Sequence, residues 1–538
     1  MAVRERSGTS GPGQGPVMVV VCVALATVVA AMASLNVALP DIARSTRASQ
    51  TQLAWVVDAY SLIFSSLLLP AGALGDRYGR RRALLIGLAV FGTGSVVAMT
   101  VSTAGALIVL RGVLGLGAAL VMPATLSTIT ATFPEAQRPR AVATWAAVAG
   151  GSAVIGLLAT GLLLEAFSWR SLFALNVVLA AAAIAGTLRF VPESADRHAP
   201  RLDAVGAIVA VVGLVALVYS VIEAPNAGWL SARTLGGIAA GLGVLGGFVA
   251  WELRQAHPLL DPRLFRHRAF SAGTLSILVQ FFAFFGFIFV VLQYLQLVRG
   301  DSALLAAVSM LPMAAAMMPV ARQTPRLAAH LGARNVCVAG LVLIATGLVM
   351  LSRVDATSSY WLIVAGLVPL GAGMGAAMAP ATTAITEALP ASKQGVGSAV
   401  NDLARELGGA LGIAVIGSVL AASYRSSLDL PGQPSALAEQ ARSSLAVASH
   451  LGGAVQAHAQ DAFVSGMRTA LLCAAVAVTL AAAGVAALLR NHGIPASPAS
   501  PASPSSPASE VSEASPVPGA PGAPADARTS DELQPTTR

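Results

Sequence analysis

Few residues of this chain have the chemistry to do more than fill space, and the most notable of them interrupt long apolar runs. Asp58 lies within the run Leu53 to Leu69, with Ser61 and Ser65 three and seven residues on, so a helix places all three on one face. Arg111 interrupts a second run, and Asn401, Asp402, Arg405 and Glu406 crowd a third. Charge in such surroundings is costly, so each group is a candidate for carrying a proton or an ion. For Asp58 two readings stand: a carboxylate on a polar stripe lining a water-filled cavity, or an aspartate solvated near a helix end. Asp402 stands i+3 from Arg405 and i+4 from Glu406, so that cluster is either a transport element or a self-neutralised group that holds helices together. Gln280, Gln293, Tyr294 and Gln296, with Phe281 to Phe289 between them, form a mixed amide and aromatic surface of the kind that usually packs. No metal-ligand cluster, nucleophile elbow or pair of catalytic carboxylates is present, so neither an enzyme nor a cofactor is expected. The only lysine, Lys393, precedes Gln394, whereas a phosphate-binding loop needs Lys followed by Ser or Thr. Any driving force must therefore come from an ion gradient or the solute's own gradient.

The elements that must hold these residues follow from composition. The 538 residues are 56% hydrophobic and 11% charged, with a mean hydropathy of +0.74. That leaves too little polar surface for a soluble globule and implies an all-α polytopic membrane protein. The formal charge of +8 is read loop by loop rather than as a sign of nucleic-acid binding. Cys22, Cys337 and Cys473 fall in apolar runs without redox or metal spacing. Arginines at 4 and 6 followed by an apolar run imitate a secretory signal. The run is too long for one, and reads as a retained first helix. Fourteen spans are expected, near 17–38, 53–74, 83–102, 105–131, 141–164, 171–191, 204–224, 233–252, 270–297, 303–321, 334–352, 360–386, 396–422 and 463–489. Arginines concentrate in alternate loops, at 77–82, 254–268 and 322–334, which predicts both termini on the cytoplasmic side of the plasma (inner) membrane.

Between the second and third spans stands GALGDRYGRRR, Gly72 to Arg82. Its glycines suit a tight turn, and Asp76 can cap the next helix or pair with an arginine. The order G-x-L-x-D-x-x-G-R-R-R resembles the signature loop of the major facilitator superfamily. By that resemblance Gly72, Asp76, Arg77, Gly79 and Arg80 form a conformational latch rather than a substrate site.

Internal repeats point the same way. GLGAALVMPAT begins at Gly115 and GMGAAMAPAT at Gly373, an offset of 258; RLAAHLGAR sets Gly332 against Gly79, an offset of 253. Six spans in each unit leave the seventh and eighth as an insertion. This arrangement, six plus two plus six helices in two pseudo-symmetric bundles, resembles the fourteen-helix drug:proton antiporter branch of the superfamily, as do NVALP at Asn36, WVVDAY at Trp55, SWR at Ser168 and GVGSAVNDLARELGGALGIAVIGSV at Gly395. The expected domains are a cytoplasmic N-terminus 1–16, a bundle 17–191, two linker helices 204–252, a bundle 270–489 with an external loop 423–461, and a disordered cytoplasmic tail 490–538 rich in Pro, Ala and Ser. The resemblance implies proton-coupled efflux of small, largely apolar drugs or secondary metabolites by a monomer in the lipid bilayer, with no nucleic-acid partner. The alternatives are a gradient-driven facilitator or importer of an organic solute, or a sensor that binds without transporting. Arg111 matches the family's R-x-x-Q-G-x-G arginine linked to proton coupling, with Leu114 in place of glutamine; a structural buried ion pair is the other reading. The family's acid in the first helix is Ala31 here, and its Gly-Pro and Gly-Gly pairs are Gly156-Leu157 and Thr160-Gly161. Asp58 is left to carry the acidic role. Asn36, Tyr60, Ser61, Gln293, Asn401, Asp402, Arg405 and Glu406 complete the candidate cavity or ion cluster.

Overall fold

A computed structural model describes residues 14–195, 203–256, 258–389, 394–430, 434–449 and 453–489. The expected tail 490–538 and most of the N-terminus lie outside them. Among the described residues fourteen helices are long and apolar enough to cross a membrane, and no strand is present. In chain order the spans are α1 (Gln14–Thr46), α2 (Gln50–Tyr78), α3 (Arg80–Ala98), α4 (Ala104–Thr132), α5 (Arg138–Ala166), α6 (Ser171–Phe190), α7 (Ala204–Ala227) and α8 (Ala232–Glu252). Then come α9 (Arg268–Gln293), continued by a π-helical turn Tyr294–Val298, α10 (Ala303–Leu331), α11 (Ala333–Leu351), α12 (Tyr360–Glu387) and α13 (Gln394–Ser427). Two short helices, α14 (Ser435–Ser443) and α15 (Leu445–Ala448), precede the last span, α16 (Gly453–Leu488).

Local chemistry sets many of the ends. Ser49 and Gln52 make a reciprocal capping box at the start of α2, and Thr103, Asp203, Ser231, Ser302 and Ser359 cap their helices with side-chain oxygens. Each satisfies a backbone donor that a helix start leaves orphaned. Three helices outrun the hydropathy-based expectation: α1 continues to Thr46 rather than residue 38, α10 to Leu331 rather than 321, and α16 begins at Gly453 rather than 463. The extra turns are polar but hydrogen-bonded. Asp41 and Arg44 pair at 2.7 Å on the end of α1, and the Gln460 amide donates to the Leu297 carbonyl at 2.9 Å. A helix ends where its backbone bonds end, which need not be where the apolar run ends.

The packing is twofold in pattern. α2 crosses α4, and a Cβ on Gly115 would sit 2.5 Å from the Tyr60 carbonyl oxygen; α10 crosses α12 with Gly371 against the Met313 carbonyl in the same way. Gly87 faces Gly117 where α3 meets α4, and Gly340 faces Gly373 where α11 meets α12. The partner helices are thus offset by 253 residues (313 − 60 and 340 − 87), while α4 and α12 are offset by 256 (371 − 115 and 373 − 117). The sequence echo at 258 is corrected by two residues. Glycines at 115 and 117 match those at 371, 373 and 375 in two registers as letters, and only the close crossings select one. The turns repeat as well, since Gly79 (φ 120°) and Gly332 (φ 85°) both adopt a backbone conformation that suits glycine.

The two repeats touch along α2 with α13 and α5 with α10. Ala54 lies close to Gly417 in the first seam, and in the second the backbone of Ala303 and Leu304 leaves no room for a Cβ on Gly161. α7 packs on both α2 and α13, and α8 packs chiefly on α7.

Candidate functional site

The face of α2 that meets α13 carries Ala54, Asp58, Ser61, Ser65, Gly72 and Asp76 at helical spacing. Asp58 and Ser61 are wholly buried and Ser65 nearly so. Both carboxylate oxygens of Asp58 and the Ser61 hydroxyl have no hydrogen-bond partner, while Ser65 turns its hydroxyl back to the Leu62 carbonyl at 3.1 Å. The expected water-lined stripe is therefore corrected. In this conformation the stripe is sealed within the helix seam and borders neither of the cavities described below.

Arg111 reaches from α4 toward the same region, at 1% exposure. Its Nε donates to the Val56 carbonyl at 2.9 Å, its guanidinium carbon lies 4.3 Å from the Tyr60 ring centre, and one terminal nitrogen is unpartnered. The buried ion-pair reading does not match this geometry, because no carboxylate lies within salt-bridge distance among the described residues. Tyr60 fixes the other side by donating to the Val28 carbonyl of α1 at 3.1 Å.

On α13, Asn401 accepts a hydrogen bond from Thr382 at 3.1 Å. Arg405 stacks over Phe281 at 5.3 Å, and Arg405 Nε and Glu406 Oε2 have no partner. No ion pair joins Asp402, Arg405 and Glu406 within 4.0 Å among the described residues. The self-neutralised cluster is not formed, since the arginine prefers the aromatic face to its neighbours along the helix. Gln293 lines neither of the cavities described below: its amide folds back onto the Phe289 carbonyl of its own helix at 2.8 Å. Gln296, one turn on, bridges the repeats by donating to the Val37 carbonyl at 2.9 Å, an orientation made possible by the π-helical turn.

Cavities lie between the repeats among the described residues. A central one of about 90 Å³ is walled by α1, α5, α9 and α10; Met32, Leu157, Phe284, Phe285 and Met310 line it, and Asn36 is its polar side chain. A larger one of about 410 Å³ opens at the end that carries the Gly79 turn, between α2, α4 and α5 on one side and α13 on the other. It is lined by Gly72 and Asp76 from one repeat, Asp402 from the other, and Trp145, whose indole is fixed by a 3.0 Å bond to Thr125. At the opposite end the repeats are joined, and Glu165 of α5 accepts from the Leu304 backbone of α10 at 3.4 Å.

At the Gly79 turn, Asp76 and Arg80 pair at 2.9 Å, linking the end of α2 to the start of α3. A residue that motif reading missed completes the turn. Glu193, after α6, accepts from the Arg81 backbone at 3.3 Å and lies 3.7 Å from Arg82, while the Arg80 backbone donates to the Ser194 carbonyl. A Cβ at position 79 would meet the Glu193 carboxylate. The only sequence signal was a lone acid following an apolar run.

The model of the Major Facilitator Superfamily matches residues 21–413 of the chain. The chain belongs to this superfamily. Among its relatives, the multidrug resistance protein Stp of Mycobacterium tuberculosis is 36% identical over 82% of this chain and 85% of its own length. The multidrug efflux pump LfrA of Mycolicibacterium smegmatis is 35% identical over 85% of this chain and 92% of its own. The tetracenomycin C resistance and export protein of Streptomyces glaucescens is 32% identical, covering 76% of each. A bacterial homologue of the human lysosomal transporter Spinster, in an inward-facing and unoccupied conformation, superposes with a TM-score of 0.61 at 17% identity, over 89% of this chain and 98% of that one. At that identity the likeness concerns the fold. The chain is a multi-pass membrane protein, and its family and structural neighbours are transporters.

Proposed function

We propose that this protein exports small, largely apolar drugs or secondary metabolites across the plasma membrane by alternating access, driven by exchange for protons. Efflux is supported by relatives named for multidrug and antibiotic resistance at about one-third identity across most of the chain. The apolar wall of the central cavity suits apolar solutes. The 410 Å³ cavity, with Asp76, Asp402 and Trp145, is the entry side, and the joined end is the exit. The grouping is six plus two plus six, with α7 and α8 inserted between the repeats, and both termini face the cytoplasm with the basic turns. The protein works as a monomer without a cofactor.

The observation that carries proton coupling is the Asp58 carboxylate, buried in the moving seam with both oxygens unpartnered. A carboxylate without partners is tolerable in such a place as the neutral acid, and opening of the α2–α13 seam exposes it to water and lets the proton leave. Arg111, held by backbone carbonyl and ring, is the cation that stabilises the ionised form once the seam rearranges.

Asp58→Asn is expected to abolish transport driven by a pH gradient in proteoliposomes while downhill exchange of substrate persists. Undiminished uphill transport by that variant would place the proton elsewhere, at Asp402 or Glu406. In everted vesicles, addition of substrate is expected to collapse an imposed pH gradient; a facilitator would leave it intact.

A further inference from the structure

At the end opposite the Gly79 turn, the start of α2, the end of α7, the end of α13 and the short helix α14 enclose a small polar cavity of about 50 Å³. It is several times the roughly 10–15 Å³ that one water needs. Its lining includes Gln50, Thr51, Asn226, Arg425, Arg442 and Ser443, and no carboxylate. Arg425 is fixed by the Asn226 amide oxygen at 2.5 Å and by Glu439 at 3.2 Å. The Arg442 side chain, by contrast, has no hydrogen bond or ion pair among the described residues. Gln50 is 5% exposed, and its Nε2 is buried without an acceptor. Gln50 and Thr51 are also the first residues of a 29-residue helix, where backbone N–H groups lack intrahelical acceptors and the dipole favours negative charge. The Ser49 side chain caps the N–H of Gln52 and leaves those earlier donors unserved.

Arg442, the Gln50 amide donor and the helix start face one space without an acceptor, and the paired Arg425 adds a second guanidinium beside them. We propose that this junction binds a small oxyanion, a phosphate group or one of similar shape and charge. Donors on α2 and on α13 then share a single acceptor, so the anion ties the two repeats together at their joined end. Planar guanidiniums suit the bidentate geometry of phosphate oxygens. The group could be free inorganic phosphate or the headgroup of an anionic lipid, since both present the same oxygens.

The test uses the full chain in nanodiscs of phosphatidylcholine, with sodium phosphate titrated against sodium gluconate at constant pH and ionic strength. Phosphate is expected to raise the unfolding midpoint saturably by about 2 °C or more, and gluconate, too large for the cavity, is not. Arg442→Gln is expected to weaken the apparent phosphate affinity by about ten-fold with little change in the midpoint in gluconate. Should Arg442→Gln fold poorly, Gln50→Glu, which sets a carboxylate where the anion would lie, is expected to remove the phosphate response. Nanodiscs containing phosphatidylglycerol separate the two sources. If that lipid itself raises the midpoint and blunts the phosphate response, the headgroup is the occupant; an undiminished phosphate response identifies the free ion. A wild-type midpoint that fails to respond saturably to phosphate in phosphatidylcholine and is unmoved by phosphatidylglycerol would overturn the proposal, as would an equal response in the folded variants.

Discussion

Asp58 and Asp355 show how two aspartates in one chain take opposite roles from their surroundings. Asp58 is buried without a donor among the described residues, whereas Asp355, in the exposed turn between α11 and α12, accepts from the Thr357 amide and from the Thr357 and Ser358 hydroxyls, each at 2.9 Å. Those donors, the Ser358 hydroxyl foremost, favour the ionised form and lower the pKa of Asp355 below its ordinary value of 3.8. A folded value below the unfolded one means that the stabilisation is complete above about pH 4 and is lost as the pH falls through the lower folded value. Asp355→Ala is expected to lower the unfolding midpoint at pH 6 and to lower it by less at pH 3, as thermal unfolding of the purified protein at the two values would read. The asymmetry of charge is also visible at this scale. By the offsets of 253 and 256, Asp58 and Arg111 correspond to Leu311 and Leu367, so the second repeat has no copy of either group.

The elements owe their positions more to what is missing from side chains than to what is present. α2 and α4 cross with backbone against backbone at Gly115, and α10 and α12 do the same at Gly371. This brings Tyr60 and Arg111 face to face, because a wider crossing would leave the guanidinium short of both the ring and the Val56 carbonyl. Gly115→Val must push α2 away from α4, at a cost of about 1–3 kcal/mol by the usual penalty for overpacking, or more where backbone blocks the way. The same change at Gly105, where a Cβ would meet nothing within 4 Å, serves as the control. The expected outcome is a lower unfolding midpoint and lost transport for Gly115→Val, with Gly105→Val near wild type. The α7 helix is positioned differently, by polar contacts with both repeats. The Trp55 indole donates to Glu223 at 3.1 Å, and Ser418 donates to the Val221 carbonyl at 2.8 Å.

At the scale of the whole molecule, the repeats form a body joined at one end and parted at the other, and the membrane orientation of that body is the remaining prediction. Reporters fused after Gly332 and after Arg490 are expected to read cytoplasmic and one after Leu430 external; a periplasmic signal from the Arg490 fusion would break the fourteen-span topology. The spans themselves were legible in the sequence, because a run of about 20 apolar residues has no better solvent than lipid and no better backbone geometry than a helix. So was the Gly79 turn, since glycines and an acid before three arginines have few structural uses. The ends of α1, α10 and α16 were less legible, because polar residues continue a helix when their side chains find partners, and partners are not written locally. Tertiary structure alone decided the register of the repeats, the sealing of Asp58 in the α2–α13 seam, the meeting of Tyr60 with Arg111, and the clamp by Glu193. Each depends on contacts between segments far apart in the chain. Local sequence pattern sets which face of a helix is polar, but only close packing of one helix on another determines whether that face meets water, a partner or nothing at all.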